Sequence, residues 1–184
     1  MEENLEEQLK IELMLKESIK KFIYNEDSPP TIFRALLRQS QKANLKFNYD
    51  EFLFLQYNID GVVKFIKKDI PASIIYLLRE KLISASIRSL GFRLGKFDRA
   101  IEYWIKKMEK CELVKGHVSN FDRREIRYRI NPVFLNISKL ISEIIVEYHG
   151  LEKINKLISK NDPKSRISNR MAVQRYRSKR KNLF

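Results

Sequence analysis

Ser89–Val114 reads SLGFRLGKFDRAIEYWIKKMEKCELV, and its spacing is that of two short helices joined by a tight turn and followed by entry into a strand. Leu90 is placed to face a core. Small Gly91 lets two helices approach closely, and Gly95 suits a turn whose backbone needs a positive φ. At a 100° step per residue, Phe97, Ala100, Ile101, Trp104, Ile105, Met108 and Cys111 gather within about 140° of the second helix. That arc is the expected buried face. The opposite arc collects Arg99, Tyr103, Lys106 and Lys110, with Lys96 and Lys107 at its edges and Glu102 as its main acidic member. A helix with this face fits the major groove of B-DNA, where arginine reads guanine by a bidentate hydrogen bond and lysine neutralises phosphate. Arg99 and Tyr103 are the expected readers. No polar N-cap residue starts this helix; Phe97 stands near that place.

Downstream, Leu113–Val118 reads as a strand, Asn120-Phe121-Asp122-Arg123-Arg124 as a polar turn, and Ile126-Arg127-Tyr128-Arg129-Ile130 as a return strand. The alternation predicts Ile126, Tyr128 and Ile130 inward, Arg127 and Arg129 outward, and Arg123 and Arg124 near the tip. Arginines so placed suit phosphate or narrow minor-groove contacts. The predicted fold class is mainly α with a small β-hairpin wing: a winged helix-turn-helix with flanking N- and C-terminal helices.

With these residues in place, Ser86 to Asn131 resembles the MarR/SarA group of winged-helix regulators. In that group a Leu-Ile pair after the recognition helix precedes an Asp-Arg-Arg or Asp-Glu-Arg wing; Leu113-Val114 and Asp122-Arg123-Arg124 stand at a similar separation. Ile130 falls where such proteins close the second wing strand with an apolar residue. The resemblance implies a double-stranded DNA-binding regulator of transcription. It also implies that Asp122 braces the wing arginines by an ion pair, that Arg124 reaches the minor groove and that terminal helices form a dimer interface. A shorter stretch, Ile130-Asn131-Pro132 followed by Phe134-Leu135, is similar to small winged-helix plasmid replication proteins, which keeps plasmid or phage replication initiation or copy control as an alternative.

Outward from this core the chain divides by charge. Of 184 residues carrying a formal +14, residues 1–27 are net acidic, residues 28–158 are basic, and residues 159–184 hold nine cationic groups against Asp162 alone. An excess of that size favours a polyanionic partner. We expect an acidic amphipathic helix at 1–27 available for dimerisation, a winged-helix body over 28–158, and a basic, disordered tail from 159. In the first, Leu5, Leu9, Leu13, Leu15, Ile19, Phe22 and Ile23 share a broad arc, and Ser28-Pro29-Pro30 ends the helix. Further helices are predicted near 31–42, 49–58 and 71–83. Between Ser138 and Ile158 an apolar stripe runs past Gly150, long enough that a partner protomer could cover it together with the first helix; packing of the two helices on each other within one chain is the alternative. The tail's Arg170, Arg175, Arg177, Lys179, Arg180 and Lys181 suit a sequence-independent phosphate-binding arm, and an RNA-binding or assembly factor acting through that tail is a second alternative.

Other classes find little support. The five glycines match no P-loop, dinucleotide fingerprint or nucleophile elbow, so neither enzymatic activity nor a cofactor is expected. Cys111, His117 and His149 follow no zinc spacing, so no metal is expected. A lone cysteine, an acidic start and no run of about 18 apolar residues predict a cytoplasmic, nucleoid-associated protein with no membrane partner.

Overall fold

The structure is a computed structural model that describes residues 2–24, 30–42, 47–120 and 122–159. Helix α1 (Glu2–Ile23) lays Ile11, Leu15, Ile19 and Ile23 into the core, where α2 (Ile32–Lys42) adds Phe33, Leu36 and Leu37. Phe22 stacks on Phe33 with centroids 5.7 Å apart. The apolar arc expected of α1 is in fact two faces: Leu9 and Leu13 are each 59% exposed, on the side away from Ile11 and Leu15. Two of the seven apolar residues thus remain outside the core that the other face enters.

Helix α3 (Tyr49–Lys67) starts at a capping box, in which Asn48 accepts the Glu51 amide at 2.9 Å and Glu51 accepts the Asn48 amide at 3.1 Å. It runs nine residues past the expected end at 58, straight through Gly61. The apolar period continues through Ile59, Val62, Phe65 and Ile66, all buried, and one glycine costs a helix only about 1 kcal/mol. Helix α4 (Asp69–Tyr76) begins two residues before the expected Pro71, because proline is tolerated in a first turn whose amides have no intrahelical acceptor. Every residue from Pro71 to Leu78 is buried, which makes α4 the central helix. It widens into a π-helical segment, Leu77–Lys81, closed by the Leu82 amide on the Leu77 carbonyl at 2.8 Å.

The winged helix follows. Ala85 exchanges both backbone hydrogen bonds with Tyr128, at 2.9 and 2.8 Å, and so forms a one-residue third strand. Helix α5 (Ile87–Leu94) is capped by Ser86, whose side chain accepts the Ser89 amide. Gly95 ends it with φ +61°, and the Lys96 amide returns to the Gly91 carbonyl at 2.9 Å. A Cβ on Gly91 would lie 3.0 Å from the Lys96 carbonyl oxygen and 2.7 Å from Asp98 Oδ1, so glycine is what allows the turn to fold back on α5. Helix α6 (Asp98–Lys110) then crosses beneath α4, with Ile101, Ile105 and Met108 fully buried. Strands β1 (Val114–Val118) and β2 (Ile126–Ile130) pair antiparallel, with Val114 opposite Ile130 and Val118 opposite Ile126. The fold is a winged helix-turn-helix, mainly α with one small hairpin, flanked by helices at both ends.

A short 3₁₀ turn at Pro132–Phe134 leads into α7 (Leu135–His149). Gly150, at φ +79°, breaks the stripe that the sequence suggested was continuous, and α8 (Leu151–Ser159) starts as a separate helix in which Ile154 is buried. Most of that stripe is covered within one chain. Leu140, Ile141, Ile144 and Ile145 lie in the single core that includes α1, α3 and α4, while Tyr148 and Leu151 remain exposed. Lys16 pairs with Glu147 and Lys20 with Glu147 at 2.9 Å, so α1 and α7 are joined across their polar edges as well. The hydrogen bonds from both lysines hold the Glu147 carboxyl below its ordinary range, and Glu147 in turn raises Lys20. No helix among the described residues is long and apolar enough to cross a membrane.

Candidate nucleic-acid interface

Helix α6 is fixed from below by its apolar face and by Trp104, which meets Phe65 of α3 edge-on with centroids 6.3 Å apart. Its outer face carries Arg99, Tyr103, Lys106 and Lys110, all exposed, preceded by exposed Lys96. The cations are not equivalent. Lys106 bonds Glu102 one turn back at 2.6 Å, which raises the lysine pKa and lowers that of the glutamate. Half-buried Lys107 places Nζ 4.4 Å from the Tyr103 ring centroid and 5.5 Å from that of Trp104. That ammonium leans on aromatic faces rather than projecting outward. A hydrogen bond from Lys107, with the charges of Lys107 and Lys64, holds the Tyr103 phenol below its ordinary pKa. Arg99 and Lys110 are exposed and stand outward on the helix.

At the start of α6 the structure departs from the helical wheel. Phe97, placed by periodicity on the buried arc, is 89% exposed. It is the N-cap residue, with ψ 143°, so its side chain leaves along an extended backbone and the 100° step does not apply. Its carbonyl still accepts the Ala100 amide at 2.9 Å, but its side chain caps nothing.

The wing packs on the far edge of α6. A Cβ on Gly116 would lie 3.1 Å from Glu109 Oε1 and 3.2 Å from Tyr128, so β1 approaches the helix closely there. Tyr128 and Ile130 are buried as predicted, but Ile126 is more than half exposed because the hairpin extends beyond the core near its tip. Asp122, Arg123 and Arg124 are exposed. Asp122 braces the turn differently from the ion pair implied by resemblance: its Oδ1 accepts the backbone amide of Arg124 at 2.9 Å, and its own amide meets Ser119 Oγ at 3.4 Å. Among the described residues, Asp122 makes no salt bridge to an arginine. Arg127 also differs from expectation. It is half-buried, with Nε on Ser84 Oγ at 3.2 Å, one terminal nitrogen on the Ser84 carbonyl at 3.0 Å and the other on Glu125 at 3.3 Å. It ties the wing to the segment before α5. Arg129 stays outward, opposite exposed Lys115. Arg170, Arg175, Arg177, Lys179, Arg180 and Lys181 lie outside the described residues.

Two basic side chains that the sequence reading passed over flank this surface: Arg88, exposed in the first turn of α5, and Lys115. A helix dipole and exposed amides at an α5-type N-terminus attract phosphate, which is the signal that could have found Arg88. The described residues hold no group of three or more His, Cys, Asp or Glu side chains able to bind a metal. Cys111 is half-buried, donates to the Met108 carbonyl at 3.3 Å and has its thiol pKa pushed up by burial, which disfavours the reactive thiolate.

Helix, turn, uncovered basic helix and hairpin together define a winged helix-turn-helix protein. Several solved structures are similar in part to this chain. They include the Lactococcus lactis ZitR C30AH42A mutant at 15% identity, covering 61% of this chain and 74% of that one with a TM-score of 0.40. The adhesin competence repressor AdcR of Streptococcus pyogenes is 18% identical and covers 68% and 96%, with a TM-score of 0.39. The transcriptional regulator BldR of Sulfolobus solfataricus is 16% identical and covers 68% and 91%, with a TM-score of 0.40. At these scores the likenesses add no weight, and the fold assignment rests on the element order and pairing described above. No family model matches the chain, and no curated protein matches it.

Proposed function

We propose that the chain is a double-stranded DNA-binding regulator of transcription, with α6 in the major groove and the tip of the wing on backbone or minor groove. The observation that carries this is the uncovered cationic face of α6, Arg99, Lys106 and Lys110, with Lys96 just before it, beside a wing whose tip presents Arg123 and Arg124. A recognition helix seated by Ile101, Ile105 and Met108 holds its outer side chains on a rigid element, which specific base contacts require. Arg127 drops out of the contact set, since its guanidinium already bonds Ser84 and Glu125. Lys107 becomes a support for Tyr103. A two-fold dimer would set two such helices about one DNA turn apart, and the exposed Leu9 and Leu13 of α1 are the residues it would cover.

Fluorescence anisotropy on random-sequence duplex across a salt series tests this. Replacing Arg99 and Arg124 together by alanine should lower affinity at least ten-fold, since each charge-assisted contact is worth about 1–3 kcal/mol. Truncation after Ser159 should reduce the salt dependence, by about 0.9 in log–log slope per phosphate contact removed, and leave binding in place. If the truncated chain binds no duplex while the double substitution is silent, binding resides in the tail, and the RNA or assembly reading replaces this one.

A further inference from the structure

The start of α6 breaks two local rules in one residue. Helices begin with a side chain that accepts an orphan amide, and large aromatic side chains are sequestered from water; Phe97 does neither, capping nothing and standing 89% exposed. A single exposed aromatic is ordinary on a protein surface. Phe97 differs in its place, because it is the leading residue of the helix that the proposed function puts in the groove, two residues before Arg99 and next to Lys96. The free protein gains neither capping nor burial from it. Departures from local rules with no internal compensation concentrate at functional sites.

We infer that Phe97 is a specificity-determining residue that packs on the C5-methyl group of a thymine in the major groove, beside the base that Arg99 reads. This rests on the DNA-binding reading above. The chemistry favours thymine because its methyl is the apolar group that base edges display in the major groove, and phenylalanine is among the side chains that contact it. The neighbouring cations, Lys96 and Arg99, draw the duplex to this end of the helix. They offer no apolar contact of their own. The Phe97 ring supplies one without a desolvation cost to any polar group on the protein side.

The test uses the full chain. A randomised duplex library is selected with the wild-type protein, and the enriched duplex is resynthesised with uracil in place of each thymine in turn, which removes only the methyl. At one thymine per half-site, uracil should weaken wild-type binding about four-fold, the factor given by burying one carbon. Phe97→Ala should weaken binding to the thymine duplex by at least that factor and lose nothing further on the uracil duplex. Its melting temperature should match wild type, because the side chain packs on so little. If Phe97→Ala keeps the full uracil penalty, or if no uracil costs the wild type anything, the assignment is overturned. Arg99→Ala separates the two levels of the argument. When it weakens binding while the thymine profile ignores Phe97, only the role of Phe97 falls; when it too is silent and no sequence is enriched, the DNA-reading surface falls with it.

Discussion

Two helix N-termini in this molecule are built in opposite ways. At the start of α3, Asn48 and Glu51 satisfy each other's amides, and Glu51 extends further: its Oε1 accepts the amides of Asn136 and Ile137, both at 2.9 Å, at the start of α7. One carboxylate, 1% exposed, thus serves two helix ends, and Asn48 Nδ2 adds a bond to the Val133 carbonyl at 3.0 Å. A buried charge is tolerable when several amides and two helix dipoles face it. The start of α6 has no side-chain cap, an exposed aromatic, and only Asp98 to favour the positive end of the helix. At the start of α3 side chains reach back to the amides, and at the start of α6 the end is left open.

The sharpest way to break this contrast is Glu51→Ala. It strands three amides in a closed region, each costing about 1–3 kcal/mol, so a loss of roughly 3 kcal/mol or more is expected in urea unfolding. Glu51→Gln, which keeps one acceptor oxygen, should lose less. A loss below about 1 kcal/mol for the alanine variant would mean that water reaches these amides and that the junction is not a rigid joint. Next in size is Asn48→Ala, which removes the cap and the tie to Val133. It should cost about 1–2 kcal/mol, at the upper end of capping effects because a second bond is lost.

These two ends also show what a sequence discloses. The helix-turn-helix was legible because its determinants are local: Gly91 and Gly95 act within a few residues of themselves, and Ile101, Ile105 and Met108 keep one helical period. Asn48-x-x-Glu51 carries a capping-box signature that went unread, and its reach to Asn136 and Ile137 depends on segments 85 residues away that no periodicity reports. The same applies to Arg127. Alternation correctly put it on the face opposite Tyr128, but the partner that holds it, Ser84, precedes a single-residue strand too short to leave a pattern. Phe97 was misplaced for a different reason: the wheel was extended one residue beyond the helix, where the backbone is already extended. Gly150 shows the same limit in reverse, since an unbroken apolar stripe concealed a break between two helices.

The smallest effect distinguishes the two ends most directly. Phe97→Ser supplies α6 with the side-chain acceptor it lacks, and should stabilise the chain by about 0.5–1 kcal/mol, within the range of N-cap substitutions. The gain is modest because the Ala100 amide, the usual target of an N-cap side chain, already bonds the Phe97 carbonyl. Little is lost in exchange, since a side chain 89% exposed contributes almost no packing. The corresponding change at α3 has only a downside, because that end already has its side-chain cap. A rise in unfolding midpoint accompanied by weaker duplex binding would show stability and recognition opposed at a single residue, as an open helix end requires. A fall in the midpoint would mean that the Phe97 ring makes contacts worth more than a cap, and the contrast between the two ends would fail on its exposed side.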